Sequence, residues 1–491
     1  MHCESLQTDC YSQMLPHSRT RFSNIFAQRS HFLSSHLLQF KLYFSTSSSF
    51  KGSRCIKDED CDDFLPWLRR KSGVEISSVL SNGKSDFGRS LYASKPVATG
   101  DCILRVPYNV QLASDNLHPQ IDSLLIEDVG HVSRLAIVIL LEQKKGQDSA
   151  WGPYVTRLPQ PWEMHNTIFW TRDELEMIRQ SPVYFETINF QAQIEKEFLS
   201  ISSVLNHFPA SLEDITLQDF MHAYALVGSR AWGSNNGVSL IPFADFLNHD
   251  GEAEASVLSN DDKQISEVIS DRDYASGEQV FITYGKFSNA TLLLDFGFTL
   301  PSNKHDQVQM QLSIPLHDPL HMMKSELLKR HYLPAGKDAN QLSSTWDTFT
   351  IKEVKSARGK GRGIPQSLRA FARVLCCTSR QELHELALEA AQHDGRLARR
   401  PFEDTNQEMQ AHKNLLSWVT ELIGEYESSV KSLEYQSSHS ASESFALRRQ
   451  MARDLLTGEL RVLKSAAAWL DAYCTRLLAE TTVDDEALMS L

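Results

Sequence analysis

Along this chain the apolar residues change their period four times. Phe64, Trp67 and Leu68 recur at helical spacing behind the acidic cluster Asp58 to Asp63, and Lys71-Ser72-Gly73 stops the turn, so order is predicted to begin with one short helix. β-prone pieces follow at Val74 to Leu80, Ser90 to Ser94 and Asp101 to Val106, separated by Asn-Gly and Thr-Gly turns, the pattern of a small, irregular β-architecture. From about Leu117 to Phe220 the period becomes helical, with helices predicted over Val132 to Gln143, Arg172 to Arg179 and Phe185 to Leu205. Strand signals return at Gly237 to Phe243, Glu254 to Ser259, Gln264 to Val268 and Gln279 to Tyr284. Strands on either side of the helical block must then share sheets, and an insertion into a β domain explains this most economically. Beyond about Pro315 the pattern is mostly helical, with helices predicted over Gln366 to Cys376, Gln381 to Gln392, Glu403 to Glu425 and Ser444 to Leu478, and a Ser-rich loop over Glu427 to Ser444. The Phe445 to Leu478 stretch reads as an amphipathic helix.

The predicted class is therefore α+β: small β-sheets split by a helical insert, followed by an all-helical C-terminal domain. At 491 residues the chain is too long for one core. Its expected divisions are 1–56, then 57–314 with an insert at about 117–220, then 315–480, with 481–491 as a tail. Residues 1–56 have transit-peptide composition: through Cys55 the only acids are Glu4 and Asp9, Ser recurs, and Arg19, Arg21, Arg29, Lys41, Lys51 and Arg54 supply positive charge. This predicts a mature protein soluble inside an organelle, with chloroplast and mitochondrion left open by composition alone.

Apolar residues at 41% and charged residues at 23% are ordinary for a globular protein. No run of roughly eighteen apolar residues suggests a membrane span. The net charge of −13 argues against a protein that grips nucleic acid by its phosphates and favours protein partners. A local exception is Lys352, Lys355, Arg358, Lys360 and Arg362, spread among glycines. A solvated basic loop is the ordinary reading of such a run, and Gly359-Lys360-Gly361-Arg362-Gly363 lacks the glycine spacing and the Ser or Thr of a phosphate loop. The eight cysteines show no C-x-x-C pairing and no histidine at zinc-finger spacing, so neither a disulfide framework nor a metal site is expected.

Chemistry concentrates in Asp245-Phe246-Leu247-Asn248-His249-Asp250 and in Gly277-Glu278-Gln279-Val280-Phe281-Ile282-Thr283-Tyr284-Gly285. Alone, an Asn-His pair suits a catalytic dyad, a metal ligand or a satisfied core pair. Its company is specific: Phe87-Gly88-Arg89-Ser90-Leu91-Tyr92-Ala93 upstream, Gly228-Ser229-Arg230 just before, and Ser288-Asn289-Ala290 after. With Leu140 to Gly146, Ser149 to Val155, Leu158-Pro159, and Trp170 with Glu174-Leu175, the chain from about Phe64 to Leu478 resembles the SET-domain methyltransferases of the Rubisco large-subunit methyltransferase type.

The resemblance implies a SET fold, S-adenosylmethionine as cofactor, location in the chloroplast stroma with the mitochondrion as the alternative, and N-methylation of a lysine on a folded, non-histone stromal protein such as Rubisco large subunit or fructose-bisphosphate aldolase. It implies a cofactor side made by Phe87, Gly88, Arg89, Arg230, Asn248 and His249, where glycine lets backbone approach a ligand and asparagine offers both carbonyl and amide. The substrate side would be Arg230, Ser234, Asp245, Tyr284 and Phe296, with Tyr284 as the catalytic tyrosine that helps align nucleophile, methyl and sulfur. An apolar channel would favour the uncharged lysine. No metal, nucleic acid or membrane is implied, and a monomer is expected. Two departures stand out. Ser90 replaces a glycine common in the family, and Asp295-Phe296-Gly297-Phe298 replaces Asp-Tyr-Gly-Phe. The missing phenol removes a hydrogen-bond donor and leaves room for a water or another methyl group, so a change in methylation number or substrate is expected. Protein-histidine methylation and a catalytically weak SET-fold binding module are the alternatives.

Overall fold

The computed structural model describes residues 63–86, 88–125, 129–205, 214–234, 237–332, 347–392, 395–435 and 442–489. Phe87 and the proposed transit peptide over 1–56 lie outside them. Helix α1 (Phe64–Ser72) buries Phe64 and Leu68 and stops at Gly73, whose left-handed backbone (φ 73°) lets its N–H donate to Arg69 O. Phe64 packs against the rings of Tyr154 and Phe246, with centroids 6.2 and 5.2 Å away.

Strands β1 (Leu80–Ser85) and β2 (Gly88–Ala93) form an antiparallel hairpin with Gly83 opposite Ser90. This corrects the reading of Val74 to Leu80 as a strand and of Asn82-Gly83 as a turn: the strand starts at Leu80 and contains both residues. The run Ser90 to Ala93 is buried, and covering it outweighs the local turn preference of Asn-Gly. Strand β3 (Cys102–Pro107) pairs with β9 (Ile265–Ile269), which also pairs with β8 (Val257–Asn260). Strand β4 (Leu112–Ala113) pairs with β6 (Gly237–Leu240), and β6 with β5 (Trp232–Ser234). Both three-stranded sheets thus join strands from before and after the helical block.

Within that block, α2 (His131–Lys145) carries an unbroken buried run from Leu135 to Leu140, and α3 spans Val183–Leu205. The sequence reading ended the block near Phe220. A further helix, α4 (Leu217–Arg230), carries it to Arg230, behind a capping box in which Thr216 Oγ1 accepts from Asp219 N (3.2 Å) and Asp219 Oδ2 accepts from Thr216 N (2.9 Å). Strand β7 (Asn248–His249) then lies parallel to β10 (Phe281–Ile282).

The described chain divides into two compact units. One takes residues up to 169, 187–287 and 294–297, and the other takes 170–186, 288–293 and 298 onward. The second unit holds an antiparallel pair, β11 (Gln307–Leu312) with β12 (Asp347–Lys352), that the helical reading of this region did not separate out. Around it lie α5 (His321–Tyr332), α6 (Gln366–Cys376), α7 (Arg380–Gln392), α8 (Thr405–Tyr435) and α9 (Glu443–Met489). Helix α8 runs through the first part of the stretch read as a Ser-rich loop, and α9 continues past Leu478; buried Tyr426 and Leu433 extend the apolar face of α8.

Buried charge pins this unit. Arg373 donates to both carboxylate oxygens of Glu408, at 2.8 and 2.6 Å. On α9, a Cβ at Gly458 would stand 2.0 Å from Asp306 Oδ2, so only glycine fits there. Its neighbour Glu459 is buried and accepts from Ser181 Oγ and Tyr426 Oη, each at 3.0 Å. Burial pushes the Glu459 carboxyl from the ordinary 4.5 up to about 8. A carboxyl raised in the fold binds its proton more tightly folded than unfolded, so its contribution to stability is full below about pH 4.5 and is lost as pH rises toward 8. We expect the thermal midpoint of the full chain to fall over that window, and Glu459→Gln to flatten the fall. An unchanged slope in the variant, measured by calorimetry, would assign the pH dependence to other groups.

Candidate active site

Between β6 and β7 the chain passes through Phe243, a buried aromatic residue held at φ 75°, a conformation that bulky side chains avoid and that packing must enforce. Its ring packs on Phe246 (centroids 6.1 Å), whose own ring carries the Arg89 guanidinium 4.9 Å away. The tight turn that follows, Ala244–Phe246, turns Asp245 inward.

Asp245 Oδ2 accepts from Tyr154 Oη at 3.0 Å and faces Arg230 Nη1 at 3.4 Å, while Arg230 Nη1 also donates to Asp245 O at 3.0 Å. Asp245 Oδ1 is buried and has no hydrogen-bond partner among the described residues. Burial raises the Asp245 carboxyl above its ordinary range, against the opposing pull of Arg230 and the Tyr154 hydroxyl. Burial first, then the Asp245 charge, also holds the Tyr154 phenol well above its usual range. Tyr154 lies in the Ser149 to Val155 stretch of the helical block, where nothing in the sequence singles it out as a site residue. Its Asp245 partner is 91 positions away, so no local signal joins them.

Asn248 Nδ2 donates to Arg89 O (3.1 Å) and to Ser90 Oγ (2.9 Å). A carbonyl can only accept, so the amide orientation is fixed and both of its hydrogens are taken. This narrows the expected role of Asn248: its Oδ1 is the group left for a ligand. Ser90 also receives Gln279 Nε2 at 3.2 Å and lies 2.7 Å from Ser85 Oγ. The serine that replaces a family glycine thus anchors two side chains from distant segments. Gly88 has φ 83° with nothing within 4 Å of where a Cβ would stand, leaving an open backbone face in the strand that carries Arg89.

Tyr284 was expected at the end of a strand over Gln279 to Tyr284. The strand is only two residues long, because successive residues change partners: Val280 N donates to Leu91 O, Phe281 and Ile282 pair with Asn248 and His249, and Thr283 N donates to Ala255 O. Tyr284 itself is half-buried. Its backbone N–H donates to His249 Nδ1 at 3.1 Å, which leaves the proton of a neutral imidazole on Nε2. Its phenol donates to Leu247 O at 2.7 Å. The ring lies stacked near His249 (5.2 Å) and Phe296 (5.4 Å), with Trp232 edge-on at 6.0 Å.

Among the expected residues, direct contacts thus join Asn248 to Arg89, Arg230 to Asp245, and Tyr284 to both His249 and Phe296. Ser234 lies on β5 opposite Gly237, two residues beyond Trp232, and Phe87 falls outside the described residues. Trp232, like Tyr154, was not singled out from the sequence, although it closely follows Arg230. Among the described residues no cluster of His, Cys, Asp and Glu fits a metal ion, and no helix is long and apolar enough to cross a membrane.

Residues 88–285 match the family model described as SET domain, and residues 315–463 match the one described as Rubisco LSMT substrate-binding. The chain is 26% identical over 274 residues to the [Fructose-bisphosphate aldolase]-lysine N-methyltransferase, chloroplastic, of Arabidopsis thaliana, covering 53% of this chain and 56% of that one. It is 27% identical over 278 residues to the chloroplastic Ribulose-1,5 bisphosphate carboxylase/oxygenase large subunit N-methyltransferase of Pisum sativum, covering 52% and 55%. It is 25% identical over 357 residues to the Actin-histidine N-methyltransferase of Gallus gallus, covering 68% and 56%. The chain thus spans about half the length of the curated relatives it matches. Its fold is similar to a solved structure of Rubisco LSMT bound to AdoMet, with TM-score 0.65, 20% identity, and coverage of 86% and 93%. A second solved structure, the SET domain of LSMT bound to MeLysine and AdoHcy, gives TM-score 0.66 at 21% identity, with the same coverage.

The Tyr154–Asp245 bond is buried, so its removal is measurable. Tyr154→Phe is expected to lower the unfolding free energy by about 1–3 kcal/mol, read from urea denaturation. Combined with Asp245→Asn, the loss should be smaller than the sum of the two, and strict additivity would show that the groups do not interact.

Proposed function

Because this chain belongs to the SET-domain methyltransferases of the Rubisco large-subunit methyltransferase type, we propose that it is an S-adenosylmethionine-dependent protein-lysine N-methyltransferase acting on a folded, non-histone plastid protein, with Rubisco large subunit and fructose-bisphosphate aldolase as the first candidates. The observation that carries this reading is Tyr284, fixed at its N–H by His249 and at its phenol by Leu247 O and walled by Trp232 and Phe296. A phenol that donates to a carbonyl keeps its oxygen as an acceptor. It suits weak CH···O contacts and orientation of an amine, not removal of a proton.

The residues fit the cofactor. Gly88 offers an open backbone face at positive φ, Asn248 Oδ1 is an acceptor for an ammonium, and Arg230, with one nitrogen on Asp245, has further donors for a carboxylate. When bound, S-adenosylmethionine supplies the electrophilic methyl group. The protein's part is alignment, which is worth several kcal/mol of barrier, and exclusion of water. The aromatic rings around Tyr284 disfavour an ammonium left in a dry site and so favour the neutral lysine that attacks. The plastid assignment rests on the basic, acid-poor composition of residues 1–56 and on the chloroplastic relatives.

Protein-histidine methylation is the second reading, favoured by the longer alignment with the actin-histidine enzyme. Labelled S-adenosylmethionine incubated with Rubisco, aldolase and actin separates the two by the residue that mass spectrometry finds labelled. Label on lysine is expected, with the rate reduced about a hundredfold or more in Tyr284→Phe, the range for loss of a positioned transition-state group. Label on histidine would replace the lysine reading, and full activity of Tyr284→Phe would remove the tyrosine from it. Phe296→Tyr restores the missing phenol beside Tyr284 and should shift products toward fewer methyl groups. An unchanged distribution would make Phe296 a packing residue.

A further inference from the structure

Among the described residues the acidic chain carries an ordered, unneutralised cationic surface. Between Lys352 and Gly363 stand Lys352, Lys355, Arg358, Lys360 and Arg362, all exposed, and the stretch contains one acid, Glu353. Glu353 is taken by Arg461 (2.5 Å), and none of the five cations forms an ion pair with a described residue. A solvated charge run needs no fixed backbone, yet this one is clamped. Lys352 N donates to Gly363 O (2.8 Å) and Val354 N to Ser465 Oγ (2.9 Å). Trp469 Nε1 donates to Gly359 O (2.8 Å), and Arg369 Nη2 donates to Lys360 O (3.2 Å) and Gly361 O (2.8 Å). Gly361 has φ 62°, and a Cβ there would lie 2.5 Å from Trp469 Cε2; at Gly363 it would lie 2.1 Å from Lys352 O. These contacts use backbone and glycines, and they leave the cationic side chains outside.

A second basic segment hangs from the same helix. Gln366 Nε2 donates to Arg399 O (2.9 Å), and Gln366 and Arg369 are neighbours at i, i+3 on α6. Ala398, at φ 43°, is held by Arg373 Nη1 on its carbonyl (2.8 Å). A cavity of about 510 Å³ here is lined by residues that include His331, Ser367, Arg396 and Arg399, and among the described residues no acid lines it.

We propose that the Lys352–Gly363 loop, with Arg396 and Arg399, is a docking surface for an acidic patch on the folded protein that this enzyme methylates. The inference rests on the protein-methyltransferase reading for its partner, and on the charge and clamped geometry of the loop for its chemistry. A protein partner is favoured over nucleic acid for two reasons. The stretch Lys352–Gly363 has no aromatic residue to stack on a base, its supporting Trp469 being 2% exposed. The net charge of −13 also repels a long polyanion while leaving a short acidic patch free to meet the loop.

The test uses the full chain and the triple variant Lys355→Glu, Arg358→Glu and Lys360→Glu, whose side chains take no part in the clamp. A fluorescent peptide of ten glutamates is the binding probe, with a labelled single-stranded oligonucleotide beside it, both read by anisotropy. Peptide binding is expected to weaken tenfold or more in the variant and to fall as ionic strength rises from about 0.1 to 1 M, which shortens the screening length from roughly 10 to 3 Å. It should be unchanged in Asn248→Ala. For whichever folded acceptor takes label, KM should rise in the triple variant with kcat nearly unchanged. Equal peptide binding by wild type and variant would overturn the proposal, and tighter binding of the oligonucleotide would overturn its partner class. Loop-dependent peptide binding with no acceptor labelled would leave the docking surface standing and count against the methyltransferase reading instead.

Discussion

Two residues of parallel pairing, Asn248 with Phe281 and His249 with Ile282, hold the candidate site together. That register places the His249 ring where it receives the Tyr284 N–H and places Asn248 beside Arg89 and Ser90. A slip of one residue would turn Asn248 and His249 to opposite faces. Both the hairpin end of the site and the tyrosine would then lose their anchors. The pairing is short because residues 279–283 bond in turn to three other segments, and this exchange of partners brings three regions to one place.

Strain and burial serve the same arrangement. Phe243 at φ 75° sets the turn that buries Asp245, and the buried carboxylate is tolerated because Arg230 and Tyr154 reach it. The His249 ring, taken in isolation, suggests an acid or a base. Its Nδ1 is engaged by backbone, so its part is to position Tyr284. Catalysis by alignment needs rigid supports of this kind more than it needs a titrating group.

The second unit handles charge differently. Its buried carboxyls, Glu408, Glu459 and Asp306, each have donors from other segments, and Gly458 makes room for Asp306. Its cations at Lys352–Gly363 remain outside, on a backbone that glycines and Trp469 keep in one shape. Holding charged groups in a fixed array reduces the ordering cost when a complementary surface arrives.

Much of this was legible in the order of the residues. The switch from strand to helix period and back implied sheets shared across an insert, as the β3–β9 and β4–β6 pairs show. The helix Gln366–Cys376 was read with its observed ends, because its apolar face repeats without interruption. The company of Asn248, His249 and Tyr284 pointed to the candidate site, and the structure brings His249 and Tyr284 into contact. Local signals failed where long-range pairing outweighed them, as at Asn82-Gly83, or where a cap was overlooked, as at Thr216 and Asp219 ahead of α4. The amino-acid order thus determined most of the long helices and the alternation of strand and helix blocks, and it named the candidate residues for chemistry, since periodicity and residue type are local properties. The tertiary structure alone decided that Tyr154 bonds Asp245, that Ser90 anchors Asn248 and Gln279, that Trp232 walls Tyr284 and that Trp469 clamps the basic loop. Each of those contacts joins residues tens of positions apart, and only packing sets their distance.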